Sequence, residues 1–179
     1  MAFMTELMVN EYGYLLGGER SFPVDVVEHD WLKPYPQFEA TVSFRWEAGD
    51  LLRRPNIFRH PEIRDWVCDD AAYSVLSGLA PHDLRVIGRG WLGDTPMHIV
   101  QVVSMLDIVD LDSSVIQDYG SYQVVDFPAF RRSADLDIGS RIFRVPGSYT
   151  GLFIGDTIRD SLDGAKISGL GYVPVPFVD

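Results

Sequence analysis

Short β-branched and alternating apolar stretches, the patterns of β-strands, recur along this chain, and in two places the text switches to the start and stop signals of a helix. Thr41-Val42-Ser43-Phe44-Arg45-Trp46 puts Val42, Phe44 and Trp46 on one strand face, which should be buried. Leu84-Arg85-Val86-Ile87 reads as a further strand, and the β-branched run His98 to Val103 as a central one. Ser121 to Phe127, with Tyr122, Val124, Val125 and Phe127, predicts another central strand, and Arg141 to Val145 one more. Tyr172, Val173 and Val175 form the last, where Pro174, which has no N–H to give a ladder, marks an edge.

Helix signals come in pairs of start and stop. Asp70 is placed to cap Ala71 to Leu76, which closes at Gly78 with Pro81 beyond. Leu152-Phe153-Ile154 leads into Asp156, placed to cap a helix carrying Ile158 and Leu162 on one face and ending at Gly164. From Met1 to Pro36, residues such as Gly13, Gly17, Gly18, Pro23 and Pro34 interrupt short apolar pieces, so turns and edge strands are expected there. The pattern as a whole predicts an α+β fold with a mixed or antiparallel sheet and two short capped helices. A loop-rich layer over 1–36 would sit on an α+β domain over 37–179, the whole forming one compact unit.

The two helical stretches coincide at an offset of 86 residues, which lays Asp70 on Asp156, Leu76 on Leu162, Gly78 on Gly164 and Leu84 on Leu170. Any strand-helix-strand unit uses an Asp cap, a core Leu and a Gly stop. The identities therefore leave two readings open, a duplicated unit and two units that are merely alike.

Composition narrows the function classes. With 46% hydrophobic and 23% charged residues over 179 positions, a packed core is expected and whole-chain disorder is not. Fifteen Lys and Arg against 26 Asp and Glu give a formal net charge of −11, a field that repels phosphate backbones and anionic bilayers, so neither nucleic acid nor membrane is expected as a partner. Cys68 is the single cysteine and cannot close an intramolecular disulfide, which fits a reducing cytoplasm. Glu6 stands where an export signal would carry a cation. The longest apolar stretch, Met97 to Leu106, is interrupted by His98, Gln101 and Ser104 and falls short of the ~20 residues that span a bilayer.

Gly88-Arg89-Gly90-Trp91-Leu92-Gly93 spells a dinucleotide-binding fingerprint after a strand, but Asp94-Thr95-Pro96 and β-branched text follow where a phosphate-binding helix is required. The motif reads as a strand-to-strand turn, and no cofactor is expected. Asp107, Asp110 and Asp112 could line the site of a small hydrolase or ligand-binding enzyme. A calcium loop counted from Asp110 would need glycine at the sixth position, where Val115 stands, so these carboxylates read as a solvated turn whose Asp107 and Asp110 are structural. His29, His60, His82 and His98 lack zinc-face spacing, and no serine sits in a nucleophile elbow. Arg53, Arg54, Arg59, His60 and Arg64 form a basic patch that reads as a solvated turn pairing with the chain's own acids. Neither a catalytic nor a metal-binding residue is assigned.

The C-terminal text reads Arg141-Ile142-Phe143-Arg144-Val145-Pro146-Gly147, then Leu152-Phe153-Ile154-Gly155-Asp156 and Ile167-Ser168-Gly169-Leu170-Gly171-Tyr172-Val173-Pro174-Val175, with Leu106-Asp107-Ile108-Val109-Asp110 and Ser114 as a further motif. In the order and spacing of these elements it resembles a family of small bacterial proteins, immunity protein family eleven, also described as the immunity MXAN-type domain and earlier as a domain of unknown function. The resemblance runs from about Gln37 to Asp179 and departs from the family at Gly155, where serine is usual, and at Ile108 and Val109, where cysteine and leucine are common. It implies a non-enzymatic inhibitor that binds and neutralises a cognate toxin of a contact-dependent or type VI secretion system in the cytoplasm of the producing bacterium. The complex would be one-to-one, or two-to-two through a homodimer. An acidic inhibitor gains association rate towards a basic toxin by steering. Interface candidates are Asp107, Asp110 and Asp112 together with Trp91, Tyr119 and Tyr122, core burial being the competing reading of each aromatic. An enzyme with a carboxylate-lined site, or a scaffold subunit, are the rival functions.

Overall fold

The computed structural model describes residues 1–7, 14–17, 41–47, 54–59, 65–132, 136–148 and 151–179. In chain order these form β1 (Ala2–Leu7), β2 (Tyr14–Gly17), β3 (Thr41–Glu47), β4 (Ile57–Arg59), β5 (Trp66–Cys68), α1 (Asp70–Leu79), β6 (Leu84–Leu92), β7 (Thr95–Val102), β8 (Val109–Asp118), β9 (Gln123–Arg131), β10 (Ile142–Phe143), β11 (Phe153–Gly155), α2 (Asp156–Gly164), β12 (Leu170–Val175) and β13 (Phe177–Val178). The protein is an α+β fold. Its described strands make a six-stranded sheet, β2-β3-β6-β7-β5-β4, a four-stranded sheet, β10-β11-β1-β12, and a three-stranded sheet, β13-β9-β8. Pairing is antiparallel except between β3 and β6 and between β9 and β13.

The period of two in the four-stranded sheet sorts side chains into two cores. Phe3, Ile142 and Ile154 point to one side, where they meet Ala72 and Leu76 of α1 and Ile158 and Leu162 of α2. Ala2, Phe143, Phe153 and Val175 point to the other, against Val109, Val125 and Phe130 of the three-stranded sheet. There Phe143 stacks on Phe153 at 5.6 Å, and Phe130 meets Phe153 edge-on at 5.2 Å, geometries that suit aromatic quadrupoles. A sheet buried on both faces carries apolar residues at consecutive positions, as Ile142-Phe143 and Phe153-Ile154 do.

Several expectations are corrected. Ala2–Leu7 is no loop-rich layer but an inner strand, paired to β11 on one side and β12 on the other. Much of the expected layer lies outside the described residues, and β2 does take an edge. The cap of α1 is Asp69, whose carboxylate accepts from the Ala72 N–H at 2.9 Å, and Gly78 lies inside the helix. Gly155, not Asp156, is the N-cap of α2, and Asp156 is its first helical residue. Pro174 does sit in an edge strand.

The offset of 86 residues reappears as strand register. Cys68 pairs with His98 and Leu84 with Val102, just as Ile154 pairs with Phe3 and Leu170 with Leu7. Ile57 and Phe58 pair with Cys68 and Val67 as Ile142 and Phe143 pair with Ile154 and Phe153, and both of these strands read Ile-Phe-Arg. The unit β4-β5-α1-β6-β7 is therefore repeated as β10-β11-α2-β12-β1, with the first strand of the chain closing the second copy. Equivalent side chains keep equivalent places: Tyr73 stacks on His98 at 4.3 Å, and Arg159 lies 4.3 Å over the Phe3 ring. The offset reflects a structural duplication.

The two units are laced by arginine–aspartate pairs. Arg141 reaches Asp83 through two parallel contacts, Nε to Oδ2 at 2.9 Å and Nη2 to Oδ1 at 2.8 Å, and the Ile142 N–H donates to the same carboxylate at 2.9 Å. Three residues on, Arg144 donates from Nη2 to Asp65 Oδ1 at 2.7 Å, with both residues almost wholly buried. The Val102 N–H also donates to Asp65 Oδ1, at 3.0 Å. Burial pushes the Asp65 carboxyl above the ordinary carboxylate range, while the charges of Arg144 and Arg59 and the Val102 bond pull the other way. For Asp83 burial also raises the carboxyl, but the bonds from Arg141, Ser104 and the Ile142 N–H outweigh it and hold the group below its usual value.

Arg144→Met leaves a buried carboxylate short of its main partner and is expected to lower stability by about 3–5 kcal/mol, with Asp65→Leu/Arg144→Met recovering much of the loss. Denaturant unfolding of the three chains tests this, and a single variant as stable as the parent would contradict it. Because the Asp83 carboxyl is depressed in the folded state, its stabilisation is present above the unfolded carboxylate pKa of 3.8 and is lost as pH falls through the folded value. Asp83→Asn should therefore flatten the acid limb of the stability–pH curve below about pH 4.

Candidate functional site

β8 and β9 form a long hairpin that enters the core through Val109 and Phe130 at its base and Val125 nearer its tip. Other apolar residues of it are exposed: Leu111 by 60%, Val115 by 56%, Tyr119 by 55%, Tyr122 by 52% and Phe127 by 40%. Val115 pairs directly with Phe127, so the two share one face. Gln117, two positions further on the same face, donates from Nε2 to Asp126 Oδ2 at 3.1 Å and accepts from the Tyr119 hydroxyl. Tyr119 and Tyr122 stack at 5.1 Å with rings 18° apart. The result is an exposed apolar and aromatic strip along the hairpin.

The tip holds its own shape. Gly120 turns with φ of 80°, a conformation costly for residues with a Cβ, and donates its N–H to Asp118 Oδ1 at 2.7 Å. That bond first, and the Gln123 amide second, hold the Asp118 carboxyl below the ordinary range. In β8 the register slips between Asp110 and Val115, so residues 111–114 bulge out. The Ser114 hydroxyl donates to the Asp110 carbonyl and accepts from the Ala129 N–H, pinning the bulge to β9.

The sequence-chosen residues divide between two places. Tyr119 and Tyr122 come together at the tip, and neither they nor Trp91, which is 45% exposed, are core residues. Trp91 lies in the six-stranded sheet, opposite Pro96, and is not part of the hairpin whose tip carries the tyrosines. Asp107 precedes β8 and lies 3.7 Å from Arg131. Asp110 and Asp112 are within β8 rather than in a turn after the preceding strand, and Asp110 accepts from the Ser113 N–H at 2.9 Å. Among the described residues no group of three His, Cys, Asp or Glu side chains is placed to hold a metal ion. Leu111, Val115 and Phe127 went unread because alternating apolar positions look like a buried face. Their signal was charge, since four aspartates and no Lys, Arg or His lie between Val109 and Phe130.

Other candidates offer less. Gly88 and Gly90 are ladder positions opposite Ile99 and Met97, and Gly93, with φ of 59°, turns the hairpin into β7, so the glycine motif is a strand-to-strand turn with no helix behind it. Cys68 is fully buried, and burial, with Asp69 and Asp70 nearby, pushes its thiol far up, which leaves it a poor nucleophile. Of the basic patch, Arg54 donates to the Leu92 carbonyl at 2.8 Å, and Arg53, His60 and Arg64 lie outside the described residues. An open cleft of about 780 Å³ is lined by Met1, Arg132, Asp137, Asp156 and Phe177. Its Asp156 is met by the Met1 ammonium at 2.9 Å and its Arg132 by Asp179 at 2.9 Å. No helix among the described residues is long and apolar enough to cross a membrane.

No family model matches this chain, and no curated protein matches it.

If Asp110 serves its own bulge, Asp110→Ala should cost about 1 kcal/mol, the usual worth of a carboxylate that caps backbone N–H groups. Millimolar calcium or zinc should leave the melting temperature of the parent protein unchanged. A metal-dependent rise in scanning calorimetry would contradict both statements.

Proposed function

We propose that this chain is an immunity-type inhibitor that binds a cognate bacterial toxin stoichiometrically in the cytoplasm of the cell that makes it. The observation that carries the reading is the β8–β9 hairpin, where Val115, Tyr119, Tyr122 and Phe127 stand exposed on a strip braced by Gln117 and Asp118. Exposed apolar strips of this kind, rimmed by polar groups, mark protein interaction sites. Tyrosines held in place before binding lose little entropy on contact. The immunity part of the reading rests on the residues of the C-terminal text. Arg141, Ile142, Phe143 and Arg144 each fill a distinct structural role in the second unit, which supports treating that text as one coherent segment. The charge of −11 would speed encounter with a basic toxin and disfavours nucleic acid and anionic membrane as partners.

Co-expression with the toxin encoded beside its gene is the direct test, and cells should survive only when this chain is present in soluble form. Equal killing with and without it would remove the reading. For a basic toxin, association should slow as salt rises past ~0.15 M, where the Debye length is about 8 Å. Dissociation, governed by the desolvated centre of the interface, should change little.

A further inference from the structure

We infer that the partner is gripped by the outer face of the β8–β9 hairpin, and that what this face accepts is an arginine-bearing, apolar-tipped protein surface. This deepens the proposal above and rests on its premise that the chain works by binding protein. The apolar part of the match is the strip of Val115, Phe127, Tyr119 and Tyr122. The charged part is Asp126, which accepts from Gln117 on that face, with Asp118 at the tip and Asp112 in the bulge, in a segment with no cationic residue from Val109 to Phe130. A cationic partner would neutralise these carboxylates while its apolar side chains cover the strip. Arginine fits better than lysine, because the planar guanidinium stacks on tyrosine rings and forks onto carboxylates.

Two features set the mode of contact. The outer edge of β8 is broken by the bulge over 111–114, and bulges discourage addition of a further strand. Side chains on the face, rather than the backbone at the edge, are therefore the contact surface. Small-molecule sites enclose most of their ligand in a concavity, whereas the strip residues are 40–60% exposed, which suits a broad protein surface.

The test uses the full chain and a short synthetic peptide alternating arginine with leucine. Two control peptides carry glutamate in place of arginine or serine in place of leucine. Amide shift mapping should place the arginine–leucine peptide on residues 115–127, and both controls should bind more weakly. Tyr119→Ser/Phe127→Ser should weaken binding about tenfold or more, the scale of losing two aromatic anchors, at an unchanged melting temperature. Should that variant misfold, Val115→Ser and Asp126→Lys provide the same comparison. No binding at the hairpin, equal binding of the serine peptide, or self-association through the same residues would each overturn the inference. Toxin protection is a separate readout. A chain that binds the peptide at the hairpin but never protects cells refutes the immunity reading and leaves this surface standing. One that protects equally well with the hairpin variant does the reverse.

Discussion

Four consecutive residues, Arg141-Ile142-Phe143-Arg144, hold the two units of this fold against each other. Arg141 and Arg144 reach out of the second unit to Asp83 and Asp65 of the first. Ile142 enters the core with the helices, and Phe143 enters the core with the hairpin base. The Arg144 pair is the severe constraint, because two charges in a dry interior are tolerable only while they are paired. Asp65 Oδ2 has no hydrogen-bond partner among the described residues, so the site is held at some cost.

Duplication explains why such lacing is needed. Each unit presents its helix, through Ala72 and Leu76 or Ile158 and Leu162, to a shared core, and neither buries that face alone. The exchange is reciprocal at the strand ends. The Ile57 N–H donates to the Ser168 carbonyl of the second unit, and the Ile142 N–H donates to the Asp83 carboxylate of the first. The second copy is completed by β1, so the start of the chain and the segment near its end are fastened in one sheet. Equivalent positions differ in chemistry: His98 and Tyr73 form a stacked pair where the other unit has Phe3 and Arg159.

The hairpin is what the duplicated frame does not need for its own closure. One of its faces closes the second core through Val109, Val125 and Phe130, while Leu111, Val115, Tyr119, Tyr122 and Phe127 stay exposed. Soluble proteins keep such residues exposed where a partner covers them. Under the proposed reading, the braced tip would lower the entropy lost when a partner covers the strip.

The sequence by itself determined the local elements, because a period of two and a cap-to-glycine helix signal depend on near neighbours. Strands at Thr41, Leu84, His98 and Arg141 and both helices were legible for that reason. Caps were misplaced by one residue, since Asp69 and Asp70 have the same chemistry and only backbone geometry chooses between them. The offset linking Asp70 to Asp156 was visible, but its meaning was not, because the closing strand of the second unit lies at the other end of the chain. Long-range pairing likewise decided that Ala2–Leu7 is an inner strand, that Asp65 and Asp83 meet arginines far away in sequence, and that β13 lies against β9. Of the hairpin strip, Tyr119 and Tyr122 were legible as candidates and Leu111, Val115 and Phe127 were not, for the same physical reason: alternation says that a strand has an apolar face, and only tertiary structure says whether anything covers it.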